Sequence, residues 1–152
     1  MKLAGKLLIA GAMVGACAIG WTARDVIGAE RKAPAVMKRI YSGADGQSYV
    51  EDIPLDVNSI MEKVTKLEIK VGEPGNFQPP HVGPQRQYII NLEGSAEIEV
   101  ANGKIQLPPG SIELIDDLTG KGHTTRVTSK ERRVSLWLWF EDQKPHPGPM
   151  NR

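Results

Sequence analysis

Two histidines, His81 and His123, are the side chains in this sequence best suited to chemistry. The chain has one other histidine, His146, in a proline-rich stretch near its carboxyl end. His81 and His123 each precede a predicted strand, and two neutral imidazoles that meet inside a β-barrel can ligate Zn, Ni, Fe or Cu. The spacing alone leaves two alternatives open, a shared metal site or two unrelated histidines.

Strand geometry groups further residues with these histidines. Side chains two residues apart in an extended chain point to the same face. By that count His81, Gly83 and Gln87 share one side of their segment. His123 shares its side with Thr125 in the later strand.

Short strands separated by turns must position these side chains. The chain has 16 glycines and 11 prolines, an excess that favours short antiparallel strands over a helical bundle. Leu67, Ile69 and Val71 alternate with charged residues, which predicts a strand with its apolar side buried. Asn102-Gly103 predicts a tight hairpin turn. Further strands are predicted at residues 38–41, 48–53, 96–100, 105–107, 112–115, 123–128 and 133–140. The pattern indicates an all-β barrel or sandwich.

The composition excludes several classes of function. Nineteen basic residues stand against 18 acidic ones without a basic stripe, so nucleic acid is not expected as a partner. A single cysteine excludes an internal disulfide framework and a multi-cysteine zinc site. The sequence also contains no Ser-His-Asp set, P-loop or dinucleotide fingerprint.

Residues 1–23 are predicted to be an export or anchor segment. Lys2 and Lys6 precede an uncharged apolar run over residues 7–21, shorter than the about 20 residues of a typical membrane span and typical of a signal-peptide core. The small residues around Cys17 fit a cleavage site or a lipoprotein signal, and an uncleaved anchor is a third alternative. We therefore expect an exported protein, either periplasmic or attached to the membrane through this segment.

The motifs around the two histidines resemble those of the cupin superfamily. The first cupin motif reads H-x-H, three or four residues, Glu, six residues and Gly. His81 and Gly94 match its two ends, Gly83 replaces the second histidine, and Gln87 replaces the glutamate.

The second cupin motif corresponds to residues 110–123. Gly110 fits its first glycine, Gly120 and His123 fit its end, and Leu118 replaces its proline. The resemblance covers residues 64–142. It implies a double-stranded β-helix, or jelly-roll, barrel with a site at its centre.

The resemblance also implies a ligand set. Metal-binding cupins hold the ion with three histidines and a glutamate, so the set here is His81, Gln87 and His123 around a divalent metal (Fe, Mn, Ni, Zn or Cu). A glutamine carbonyl offers a dipole in place of a charge, which lowers metal affinity. Two functions stay open: an enzyme of isomerase, lyase or oxygenase type acting on a small polar molecule, and a metal-free module that binds a small ligand or carbohydrate.

The parts outside the motifs complete the predicted organisation. Residues 24–63 are expected to be a linker and amino-terminal arm, and residues 143–152 a flexible tail. Trp137 and Trp139 lie on one face of the last strand. They indicate either a homodimer interface or a surface that the arm covers.

Other polar residues near the motifs allow a structural as well as a chemical interpretation. Arg86 and Arg126 would suit a substrate carboxylate, but exposed strand positions are the preferred interpretation. Asp116 and Asp117 are predicted to be solvated turn residues. Glu113 is an alternative ligand or base. Its neighbours Ile112 and Leu114 are apolar and are expected to be the buried residues of this strand, which argues against that role.

Overall fold

The computed structural model describes residues 35–55, 62–146 and 148–150 of the chain. This part of the chain forms strands and contains no helix, so the predicted all-β fold class is confirmed. The strands are β1 (Val36–Ser42), β2 (Ser48–Pro54), β3 (Val64–Gly72), β4 (Phe77–His81), β5 (Gln87–Glu93), β6 (Ala96–Val100), β7 (Gly103–Leu107), β8 (Ile112–Asp116), β9 (His123–Val127) and β10 (Arg133–Phe140).

The strands form two sheets that enclose the main core. The larger sheet has the order β2-β1-β8-β5-β10-β3, and the smaller one has the order β4-β9-β6-β7. All pairings are antiparallel except that of β1 with β8. Both sheets contribute buried apolar side chains to the core: Ile40, Ile89 and Ile115 from the larger, and Ala96, Ile98, Val100 and Leu107 from the smaller. Every second residue of these strands therefore points between the sheets.

The barrel begins well before residue 64. The strands predicted at residues 38–41 and 48–53 form as the hairpin β1–β2, and β1 pairs with β8 inside the larger sheet. Much of the expected linker and arm is thus part of the barrel itself. The boundary at residue 64 followed the reach of the cupin motifs, which carry no information about strands that precede them.

Strand β3 forms as predicted, but its apolar side faces solvent. Leu67, Ile69 and Val71 are 61%, 61% and 53% exposed. This strand lies at the edge of the larger sheet, and its other face is the one turned toward the barrel. Alternation predicted the strand correctly and the buried face wrongly, because a period of two does not say which side is covered.

The two tryptophans of β10 are covered by β3. Lys70 Nζ lies 3.6 Å from the ring centroid of Trp137, and Lys66 Nζ lies 4.4 Å from that of Trp139. Lysine stems commonly cover apolar surface while the ammonium group contacts an aromatic face. Lysines of β3 therefore cover part of both rings, and cover by the amino-terminal arm and a homodimer interface both stay predictions.

A buried ionic network joins three parts of the larger sheet. The carboxylate of Asp116, at the end of β8, accepts a hydrogen bond from Arg39 Nε and another from Arg86 Nε, both of 2.8 Å. Arg39 also contacts Glu51, and Arg86 contacts Glu62, each at 2.6 Å. The three central side chains are at most 1% exposed. Asp116 and Arg86 were both predicted to be solvated, and both predictions are wrong because charges on several strands converge at this point.

The described part of the carboxyl-terminal tail binds to the same network. Arg39 donates hydrogen bonds to the carbonyl oxygens of His146 and Gly148 at 2.6 and 2.7 Å. The amide of Met150 donates to both carboxylate oxygens of Glu51 at 3.0 Å. The tail was expected to be flexible, but these residues make specific contacts with β1 and β2.

The predicted export or anchor segment, residues 1–23, lies outside the described residues, and so does Cys17. Within residues 35–55, 62–146 and 148–150, no helix has the length and apolar character needed to cross a membrane.

Asp116→Asn is expected to lower the free energy of unfolding by about 3–5 kcal/mol, because it leaves two buried arginines short of a counter-charge. Asp52→Asn is the matched control, since it breaks the exposed Lys38–Asp52 pair and should cost less than about 1 kcal/mol. Urea unfolding followed by circular dichroism measures both. Equal, small effects of the two substitutions would contradict a structural role for the network.

Candidate functional site

Strand pairing places the two predicted histidines side by side. His81 ends β4 and His123 begins β9, and the two are directly opposite each other in the antiparallel pair. Their ring centroids are 4.5 Å apart, with the ring planes tilted by 55°. The spacing of the sequence left a shared metal site and two unrelated histidines open, and the structure brings the two rings together.

Two glycines of the preceding loop make this approach possible. Gly122 has a φ of +75°, and a Cβ there would collide with the carbonyl group of His81. Gly120 has a φ of +90°, and a Cβ there would collide with the backbone of Gly46 in the β1–β2 turn. The amide of Lys121 donates a 2.8 Å hydrogen bond to that same Gly46 carbonyl. The loop before His123 is therefore held against both β4 and the first hairpin.

Both imidazoles are oriented by an acceptor at Nδ1. His123 Nδ1 lies 2.7 Å from Asp117 Oδ2, and His81 Nδ1 lies 2.8 Å from the carbonyl oxygen of Pro79. Since carboxylate and carbonyl oxygens only accept, we assign the proton to Nδ1 in each ring, which leaves the Nε2 lone pair free. Metal-ligating histidines are commonly held in this way.

Asp117 is buried and connects the site to the first hairpin. Its side chain is fully buried, and Oδ2 also accepts a 2.7 Å hydrogen bond from Ser48 Oγ. Its prediction as a solvated turn residue is wrong. Sequence patterns missed it because the turn that follows β8 folds inward against β2 instead of into solvent.

Gln87 lies in the same cavity with an unsatisfied amide. It is fully buried, and neither Oε1 nor Nε2 has a hydrogen-bond partner among the described residues. A buried polar group left in that state costs about 1–3 kcal/mol. A cavity of about 30 Å³ lies against Gln87, His81 and His123, so the three predicted metal ligands are brought together.

Glu113 and Arg133 complete the wall of this cavity; the sequence interpretation preferred a structural role for Glu113 and did not single out Arg133. Glu113 is 1% exposed, and one of its carboxylate oxygens accepts a 2.6 Å hydrogen bond from Arg133 Nη2. Burial raises the pKa of Glu113, while the charge of Arg133 opposes that shift. The alternation of side chains in β8 could have indicated that Glu113 points inward, because Glu113 and Ile115 are two residues apart and share one face of the strand. The apolar neighbour Leu114 argued against an inward-facing Glu113, but Leu114 is buried in a second apolar cluster on the opposite face of the sheet.

The other candidates serve the structure outside this cavity. Arg126 is exposed, as expected, and its guanidinium carbon lies 4.4 Å from the ring centroid of Phe77. Arg86 holds the buried ionic network. Neither arginine lines the cavity between the histidines.

Gly83 explains why the second histidine of the cupin motif is missing. A Cβ at this position would collide with Ile115, and the Gly83 amide donates a 3.0 Å hydrogen bond to the Asp117 carbonyl. The side chain of Ile115 therefore occupies the space that a side chain at position 83 would enter first.

The donor set fits a divalent cation only with the help of Gln87. Across the described ranges of the chain, no three His, Cys, Asp or Glu side chains are grouped closely enough to hold a metal ion. The two imidazoles, each with Nδ1 already bonded, and the unpartnered amide of Gln87 line the cavity instead. Nitrogen and neutral oxygen donors of this kind suit borderline divalent metals.

Solved structures that this chain resembles include cupin-domain proteins. A cupin domain from Bordetella pertussis is 15% identical, with a TM-score of 0.40 over 73% of this chain and 98% of that one. A polyketide cyclase from Streptomyces resistomycificus is 19% identical, with a TM-score of 0.43 over 72% and 77%. A sugar phosphate isomerase of the cupin superfamily from Silicibacter pomeroyi is 17% identical, with a TM-score of 0.41 over 71% and 73%.

These similarities concern the cupin fold alone and give this chain neither an activity nor a ligand. No family model matches the sequence, and no curated protein does.

His81 is expected to titrate below its ordinary pKa in the metal-free protein. Burial lowers the pKa of His81 from 6.5, the bond to the Pro79 carbonyl opposes this, and the neighbouring His123 lowers it further. The folded state then binds this proton more weakly than the unfolded state, so His81 makes stability rise as the pH increases toward 6.5. NMR titration of chelator-treated protein, with His81→Gln to assign the signal, measures the midpoint. A midpoint at or above 6.5 would contradict the burial of this ring.

Gly83→Ala is expected to destabilise the fold by about 1–3 kcal/mol, since it overpacks a filled interior. Thermal unfolding measures the loss. In the double variant with Ile115→Ala the two effects should be less than additive, because the clash disappears. Full additivity would show that the space at Gly83 is free after all.

Proposed function

We propose that this cupin binds a divalent metal through His81, Gln87 and His123 and acts on a small polar molecule, as an enzyme of isomerase, lyase or oxygenase type. The observation that carries the proposal is the buried amide of Gln87, which has no partner among the described residues and lines one cavity with the two imidazoles. A cation in that cavity would give the amide oxygen and both Nε2 atoms a partner.

The chain's own residues prepare the site for such chemistry. A bound divalent metal supplies a Lewis acid that polarises an oxygen atom of the ligand. Asp117 and the Pro79 carbonyl fix the orientation of the two imidazoles. Glu113 can hold a proton at the cavity wall, where Arg133 keeps its carboxyl group in place.

Buried apolar side chains form part of the wall of this cavity. Ile89, Ile98 and Ile115 line it together with the polar residues, and each is at most 4% exposed. A low local dielectric strengthens every charge–dipole interaction between the wall and a ligand.

A metal-free binding module is the second candidate function. The substitution of the motif's glutamate by Gln87 favours it, because an amide both donates and accepts hydrogen bonds, as recognition of a hydroxyl or carbohydrate ligand requires. The same cavity would then bind without catalysis, and its histidines would serve as hydrogen-bonding groups.

We also infer an exported protein that acts in the periplasm or at the membrane. The support is the sequence of residues 1–23, with its two lysines, apolar run and small residues around Cys17. Cleavage, lipidation of Cys17 and retention as an anchor are the three alternatives for this segment.

Metal analysis of the purified full-length protein, without a histidine tag, tests the proposed function. We expect near-stoichiometric Fe, Mn, Ni, Zn or Cu in the wild type and at least a tenfold loss in His81→Ala and His123→Ala, because each removes one of few donors. His146→Ala is the matched control, since the structure engages the main chain of His146 in the ionic network. It should keep the wild-type metal content.

The outcome separates the two candidate functions. Unchanged metal content in both site variants would overturn the metal proposal. A metal-free wild type that stays metal-free after incubation with each of the five ions would favour the binding module. Circular dichroism of each variant excludes misfolding as the cause of any loss.

A further inference from the structure

A second, larger chamber lies beside the cavity between the histidines. It measures about 130 Å³ and is bounded by β3, β4, β9 and β10. Four residues line both spaces: Gln78, Thr125, Arg133 and Trp137. Because the two spaces share walls, a ligand in the outer chamber lies next to the predicted metal ligands.

The charged groups around the outer chamber are all basic. Lys70 and Arg133 line it, and no aspartate or glutamate does. Lys70 has no carboxylate within salt-bridge distance among the described residues, and its ammonium group rests on the face of Trp137. The chamber therefore presents a cation that the protein itself does not neutralise.

Arg133 is held in place with part of its donor capacity left over. Its Nε donates to Asn91 Oδ1 at 2.9 Å and its Nη2 to Glu113 at 2.6 Å. In the described part of the chain, Nη1 has no partner and is not among the fully buried unsatisfied atoms. A guanidinium fixed by two bonds binds an anion with little further loss of side-chain entropy.

The remaining polar groups of the chamber are neutral. Asn76 and Gln78 contribute amides, and Thr125 and Ser135 contribute hydroxyl groups. Such groups can bond to a ligand's carbonyl or hydroxyl oxygen without adding charge. One free lysine and one partly used arginine thus match a single negative charge better than a multiply charged group.

We propose that the outer chamber binds the carboxylate of a small organic acid, with Lys70 and Arg133 Nη1 holding the negative charge. This inference names a substrate class for the proposed function. It rests on that function only for the reaction at the two histidines, and the binding of the carboxylate does not depend on it. A cavity of about 150 Å³ holds benzene, so the two spaces together accept a ligand of roughly six to ten non-hydrogen atoms.

This assignment differs from the one that the sequence favoured. Arg86 and Arg126 were the candidates for carboxylate binding, but one is buried in an ionic network and the other is exposed on a sheet face. Lys70 escaped notice because it alternates with apolar residues that were expected to be the buried ones.

Calorimetric titration of the full-length, chelator-treated protein tests the assignment. The probes are the monocarboxylates butyrate, hexanoate and benzoate, each compared with its neutral amide, together with inorganic phosphate. We expect at least one carboxylate to bind and its amide to bind at least tenfold more weakly, because a charge-assisted hydrogen bond is lost. Lys70→Met should weaken that carboxylate about tenfold or more.

Lys66→Met is the matched control variant. Lys66 lies on the same strand and covers Trp139 as Lys70 covers Trp137, but it does not line the chamber. It should leave carboxylate affinity unchanged. Equal binding of acids and amides, tighter binding of phosphate than of every carboxylate, or equal effects of the two lysine substitutions would each overturn the proposal.

Metal content measured on the same preparations before chelator treatment separates this proposal from the proposed function. Carboxylate binding that depends on Lys70, in a protein that purifies without metal and takes up none on incubation, would support the anion site and count against the metal site. A metal-loaded protein that binds none of the acids in chelator-treated form would overturn the anion site and leave the metal proposal standing.

Discussion

Two adjacent buried carboxylates, Asp116 and Asp117, are the constraint on which the rest of this structure depends. Asp116 binds two arginines from separate parts of the larger sheet, and Asp117 binds His123 and Ser48. Each would be strongly destabilising if left without its partners. The end of β8 therefore fixes both the assembly of the larger sheet and the orientation of one imidazole, so the stability of the barrel and the geometry of the site have a common origin.

The sequence predicted the fold class and the central residues of the site better than it predicted their surroundings. Alternation and turn residues located the strands, and motif spacing singled out His81, Gln87 and His123, because both signals depend on local order along the chain. The buried ionic network, by contrast, joins residues 77 positions apart. Local patterns assign such charges to the surface, since only the tertiary fold supplies their partners.

The departures from the cupin pattern are consistent with one another in the structure. At Gly83 the backbone packs against Ile115, so the position cannot carry a ligand. Gln87 keeps the place of the motif's glutamate without its charge, and the buried charge at the cavity comes instead from the Glu113–Arg133 pair, on the two strands that flank β5. The charged side chains at the cavity therefore lie in its wall and not at a motif position. A comparison of motifs detects only the missing glutamate and not this pair.

The first hairpin, β1–β2, is part of the barrel although it precedes both motifs in the sequence. Strand β1 separates β2 from β8, and this hairpin supplies Arg39, Ser48 and the Gly46 carbonyl that anchors the loop before His123. A fragment cut at residue 64 would retain every residue of both cupin motifs. It would also expose the edge of β8 and remove one partner of each aspartate, Arg39 of Asp116 and Ser48 of Asp117. A segment of this protein that contains both motif regions therefore does not contain everything that forms the site.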